Sequence, residues 1–121
     1  MSILGVDYGR KKIGLAIAES LLAEPLRVVD SLAEIKKIIQ TKNVEKIVVG
    51  VSEGKSAKEA REFGRKLHQE SGLEIIFQDE TLSTQDAQSF SQAAGMKRKK
   101  RKELEDAFAA TIILQSYLDN P

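Results

Sequence analysis

Aspartates set into apolar runs, where a carboxylate is costly, are the residues of this chain best suited to chemistry. Asp7 closes the run Ser2 to Asp7; in an extended strand it shares a face with Ile3 and Gly5, while Leu4, Val6 and Tyr8 point the other way. Aspartate is depleted in strands, although with Gly9 it also suits the start of a hairpin turn. Asp106 leads a segment that is apolar almost all round as far as Leu118. At helical spacing it lines up with Ala110, Ile113 and Tyr117 on an otherwise uncharged stripe, whereas Glu103 and Glu105 continue the charged leader. An acid near a helix start also complements the macrodipole. Asp79-Glu80 directly follows the apolar run Leu73 to Phe77, and strand ends of open α/β sheets are where ligands bind. Of this pair, Asp79 suits a surface turn and Glu80 a site. Glu53, which follows the run ending at Val51, is a further candidate.

Carboxylates converging from a strand (Asp7), a strand end (Glu80) and a helix (Asp106) would form an all-oxygen site suited to Mg²⁺ or Mn²⁺. Zinc is not expected, because the chain has no cysteine and its single histidine, His68, falls in a charged helix as a surface residue. Phosphodiester hydrolysis makes the best use of such a cluster: one ion activates water and a second, about 4 Å away, stabilises the leaving oxygen. A basic run stands beside it. Lys97 to Lys102 is an unbroken series of positive side chains leading into the Asp106 helix, in a chain of net charge only +1. Such a run is often no more than a solvated leader, but Lys97, Arg98, Lys99 and Lys100 are placed to engage phosphates, as are Arg10, Lys11 and Lys12 after Asp7.

The elements that must position these residues follow from periodicity. Ser2 to Asp7 and Ile13 to Ala18 read as strands joined by a polar turn over Gly9 to Lys12, with a short third strand, Leu26 to Val29, after Pro25. Ser31 caps a helix to about Thr41, with Leu32, Ile35, Ile38 and Ile39 at helical spacing. Lys46 to Val51 has the continuous apolar character of a strand covered on both faces. An amphipathic helix from Ser56 to about Ser71 ends at Gly72, and Leu73 to Phe77 is expected as a further buried strand. Ser83 or Thr84 then caps a helix to about Ala94, Gly95 stops it, and a last helix runs to about Leu118. Early antiparallel strands and later βαβ crossovers imply an α/β fold: a mixed five-stranded sheet with helices on both faces, in the RNase H-like plan.

The bulk properties agree. A length of 121 residues suits one domain, residues 1–121, with one core, and 41% hydrophobic against 31% charged residues argues against disorder. The start of the chain has no basic region followed by a long apolar stretch, and no apolar run approaches bilayer-spanning length. A cytoplasmic protein without membrane association is expected.

Taken together, these residues resemble the YqgF/RuvX family. The matching stretches are Leu4-Gly-Val-Asp-Tyr-Gly-Arg-Lys-Lys-Ile-Gly-Leu-Ala16, Val48-Val-Gly50, Asp79-Glu-Thr-Leu-Ser-Thr84 with Ala87, and Lys102-Glu-Leu-Glu-Asp-Ala-Phe-Ala-Ala110 running to Leu118. The resemblance covers nearly the whole chain and implies an RNase H-like fold, with the family's acidic triad falling on Asp7, Glu80 and Asp106. It implies a nuclease of Holliday-junction or pre-16S ribosomal RNA type. The family usually has arginine where this chain has Lys12 and Thr81, and a Pro-containing loop where Val51-Ser-Glu-Gly-Lys-Ser56 is shorter; Glu19 is also unusual. Lysine does not replace arginine for bidentate phosphate contact, so these departures bear on substrate and turnover.

The first functional expectation is therefore a divalent-metal-dependent endonuclease. Its partner would be structured nucleic acid, an rRNA precursor or branched DNA, with a homodimer as a candidate assembly. The alternative is a nucleic-acid-binding module of the same fold with weak or no catalysis. A sugar-kinase-like ATPase is disfavoured, because those enzymes clamp the nucleotide between two such domains.

Overall fold

Small residues on one face of a sheet and large aliphatic ones on the other determine how this chain folds. The computed structural model describes residues 2–9, 11–51, 55–79 and 105–120. In chain order these form β1 (Ser2–Asp7), β2 (Ile13–Ala18), β3 (Ala23–Val29), α1 (Leu32–Thr41), β4 (Val44–Val51), α2 (Lys55–Ser71), β5 (Glu74–Asp79) and α3 (Glu105–Asp119). The strands make a five-stranded sheet of order β3-β2-β1-β4-β5. Strands β1, β2 and β3 pair antiparallel, and β4 pairs parallel with both β1 and β5. The mixed α/β plan expected from the sequence is the one observed. The helix expected from 83 to 94 lies outside the described residues.

Leu4, Val6, Leu15, Ile35, Ile47, Val49 and Leu67 form one core, between the sheet and the pair α1 and α2. The other face carries Ala16, Ala18 and Val48 against Ala110, Ile113 and Leu114 of α3. Small side chains there let an apolar helix lie close to the strands. A Cβ at Gly5 would stand 2.7 Å from Leu114 Cβ and 3.0 Å from the Ala110 carbonyl oxygen.

Three boundaries differ from the sequence reading. Strand β3 begins at Ala23 rather than Leu26 and runs through Pro25, which an edge strand tolerates because one row of its N–H groups has no ladder partner. The Ala23 N–H is instead tied to Gln115 Oε1 of α3 at 2.8 Å. Strand β4 starts at Val44, not Lys46, because Asn43 takes φ 54° and turns the chain out of α1 within two residues. Strand β5 runs from Glu74 to Asp79 and is a half-buried edge strand, not a fully buried one, since it has one strand neighbour among the described residues.

Candidate active site

The parallel strands β1, β4 and β5 all end on one edge of the sheet, with Asp7, Val51 and Asp79 as their last residues. Asp7 pairs across β1/β2 with Gly14, so position 7 shares the α3 face of the sheet with Gly14 and Gly5. The backbone of Asp106, in the first turn of α3, lies directly on Gly14: a Cβ there would overlap the Asp106 carbonyl and come within 2.8 Å of the Ala107 amide nitrogen. Asp106 is therefore seated beside the cross-strand partner of Asp7. It stands on the helix stripe that continues through Ala110 and Ile113, both buried, to Tyr117. The backbone positions of two of the three acids expected from the sequence thus lie near one sheet edge, on the same face.

Electrostatics mark the same place. The Asp106 carboxyl is held above the usual carboxylate range, chiefly by burial and further by Glu105 beside it, with Lys12 pulling the other way. Lys11 and Lys12 are both exposed. A half-buried carboxylate with an acidic neighbour binds a cation readily, because the cation relieves both penalties.

Asp79 is separated from this pair. It is in register with Val51, which belongs to the α1/α2 core, so Asp79 faces the opposite side of the sheet and is exposed. It is thus an exposed residue, as expected, but at a strand end rather than in a turn. Glu80, Glu53, Arg10, Thr81, Lys97, Arg98, Lys99 and Lys100 lie outside the described residues. Among the described residues, no group of three His, Cys, Asp or Glu side chains is close enough to hold a metal. His68 is exposed, and its Nδ1 donates to the Leu73 carbonyl at 2.8 Å, consistent with a surface residue that secures the end of α2.

Sequence reasoning overlooked Gly14, the residue that lets α3 reach the site. Its signal was present, since glycine inside a strand often marks a place where another backbone approaches closely.

Known proteins resemble this chain in sequence and in fold. A family model described as "RuvX: Holliday junction resolvase" matches residues 1–120. The chain belongs to the RuvX family. A protein of Agathobacter rectalis named "Putative pre-16S rRNA nuclease" is 37% identical over 98% of this chain and 95% of its own length. A protein of Caldanaerobacter subterraneus with the same name is 38% identical over 99% and 97%. Among solved structures, Thermus thermophilus RuvC in complex with Holliday junction substrate superposes with a TM-score of 0.63 at 17% identity, covering 98% of this chain and 95% of that one. The fowlpox virus resolvase complexed with Holliday junction DNA gives 0.67 at 16% identity, covering 98% and 97%. These two likenesses establish the RNase H-like fold.

Proposed function

We propose that this RuvX-family chain, read as a single domain over 1–121, is a divalent-metal-dependent endonuclease. Its substrate would be structured nucleic acid, with processing of the pre-16S rRNA end as the preferred reaction and Holliday-junction resolution as the related one. The observation that carries the proposal is the seat of Asp106 on Gly14, beside Asp7, at the carboxyl edge of the sheet. Asp79 faces the other side of the sheet; Glu80 is proposed for the third position, with Glu53 as the further candidate. The oxygen-only donor set and the raised proton affinity of Asp106 both fit a hard divalent cation, Mg²⁺ or Mn²⁺, held by Asp7, Asp106 and Glu80. Such ions would supply a water activated for attack and stabilise charge on the leaving oxygen. Asp106 and Asp7 would fix the position of the scissile phosphate through what they bind, and Lys12 would offset the repulsion that clustered carboxylates exert on a polyanion. Arg10, Lys11 and the run Lys97 to Lys100 are proposed to engage flanking phosphates. A ribosomal precursor would be met in the cytoplasm, and no described helix is long and apolar enough to cross a membrane.

The test is cleavage of pre-16S rRNA ends, four-way junctions, plain duplex and single strands with Mg²⁺ or Mn²⁺, with Asp7→Asn as the control. Asp7→Asn should abolish cleavage while leaving the fold intact. Cleavage unchanged in that variant would place the activity elsewhere, and binding without cleavage by the parent would make the chain a binding module.

A further inference from the structure

The outer surface of α2 is divided by charge along its length. Lys58, Arg61 and Arg65, at spacings of three and four, occupy one flank, and all three are exposed. Glu59 and Glu70, with Lys66, occupy the other flank, and Glu62 stands between the two, four residues from Lys58 and three from Arg65. The structure also shows where each flank looks. Glu70 pairs with Lys36 of α1 at 3.4 Å, so the acidic flank faces α1. Arg61 lies over the Phe77 ring of β5 at 5.4 Å, and Arg65 lines a groove of about 440 Å³ with Gly64, His68, Glu74, Ile75 and Phe77. The basic flank therefore follows the sheet edge at β5. Among the described residues, no carboxylate lies within ion-pair distance of Lys58, Arg61 or Arg65. The acids on β5 stand at its two ends: Glu74, 3.8 Å from Lys46, and Asp79.

Direction matters as much as charge. Strands β4 and β5 are parallel, so α2 runs back along them. The Arg61–Phe77 contact and the His68–Leu73 bond show that Lys58 lies toward the carboxyl edge and His68 toward the far edge. The cations thus form a line about 10 Å long, at 1.5 Å per residue, on the α1/α2 face of the sheet, starting toward the edge that carries Asp7 and Asp106 on the other face. That length matches roughly three phosphates at the 3.4 Å rise of one strand of a duplex.

We propose that Lys58, Arg61 and Arg65 form a second phosphate track, which holds the part of a nucleic-acid substrate leaving the acidic site past β5. The identity of that substrate rests on the nuclease reading; the track itself is tested by binding alone. The probe is a fluorescent duplex, long or short, titrated at several salt concentrations with the full chain carrying Asp7→Asn so that nothing is cut. For the long duplex, Lys58→Gln with Arg61→Gln and Arg65→Gln should lower the slope of log K against log salt by about 2.7, at about 0.9 per contact. Affinity at 0.1 M salt should fall by up to about 500-fold, the slope loss of about 2.7 taken over the decade below 1 M salt. A duplex too short to pass β5 should bind as to the parent. In chains with Asp7 intact, KM should rise with kcat unchanged. Because Arg61 also covers Phe77, Lys58→Gln with Arg65→Gln provides a variant that leaves that contact in place, with an expected slope loss of about 1.8.

Unchanged affinity and slope on the long duplex in a folded triple variant would overturn the proposal. So would an altered oligomeric state with unchanged binding, which would make the flank a protein contact. A parent that binds with the stated slope dependence but never cleaves would refute the nuclease reading and support the track.

Discussion

Adding one methyl group at Gly14 tests the reasoning about the site most directly. The new Cβ would overlap the Asp106 carbonyl and stand 2.8 Å from the Ala107 amide nitrogen, and both are backbone atoms in the first turn of a helix. Neither can rotate away. The start of α3 must withdraw by about 1 Å to restore ordinary packing, and overpacking of this kind costs about 1–3 kcal/mol. At roughly 4 °C per kcal/mol for a chain of this size, Gly14→Ala should lower Tm by roughly 4–12 °C. The withdrawal carries Asp106 away from the strand pair that holds Asp7, and a displacement of about 1 Å in such a constellation costs on the order of 10²-fold in rate. The assay is cleavage well below the variant's Tm, alongside calorimetry. Gly5→Ala serves as the comparison, because its Cβ meets Leu114 at 2.7 Å, two turns further along α3. It should lose similar stability and less activity. Wild-type Tm and cleavage in Gly14→Ala would refute the close seating of α3 on β2.

Three further outcomes are expected. Asp106→Asn should stabilise the metal-free protein at neutral pH: the folded-state pKa of Asp106 is raised, so its contribution is favourable below the unfolded-state value and is lost as pH rises through the folded one. Denaturant titrations should show that gain disappear on acidification below the ordinary carboxylate range, and a gain that persists there would contradict the assigned cause. Gln115→Ala removes the bonds to the Ala23 N–H at 2.8 Å and the Leu21 carbonyl at 3.0 Å, leaving a buried donor unpaired. It should cost about 1–3 kcal/mol by chemical denaturation without changing cleavage, since that turn lies at the sheet edge opposite Asp7. Replacing Lys97, Arg98, Lys99 and Lys100 with glutamine should flatten the salt dependence of duplex binding by about 0.9 per lost contact and weaken all sequences alike, as fluorescence anisotropy would show.

Local chemistry carried much of this protein openly in its sequence. The alternation in Ser2 to Asp7 and Ile13 to Ala18, the Ser31 cap and the continuous run into Val51 each write their element into adjacent residues, because period and capping are properties of neighbours in the chain. Asp106 was legible for the same reason, as a charge on an apolar helical stripe, and Asp7 as a charge ending a strand. Tertiary structure decided what depends on residues far apart. Position in the sheet is one example: β5 is an apolar run whose half-exposure comes from its place at the edge, and β3 accepts Pro25 because it is an edge too. Facing is another, since the register of Asp79 with Val51, and not the composition of Asp79-Glu80, turns Asp79 away from the other acids. The basic flank of α2 acquires a direction only once β5 lies beneath Arg61. The seating of Asp106 beside the strand pair that holds Asp7 depends on the absence of a side chain at Gly14, 92 residues before Asp106. A missing Cβ has no periodicity to announce it, and its effect exists only when another backbone arrives to use the space.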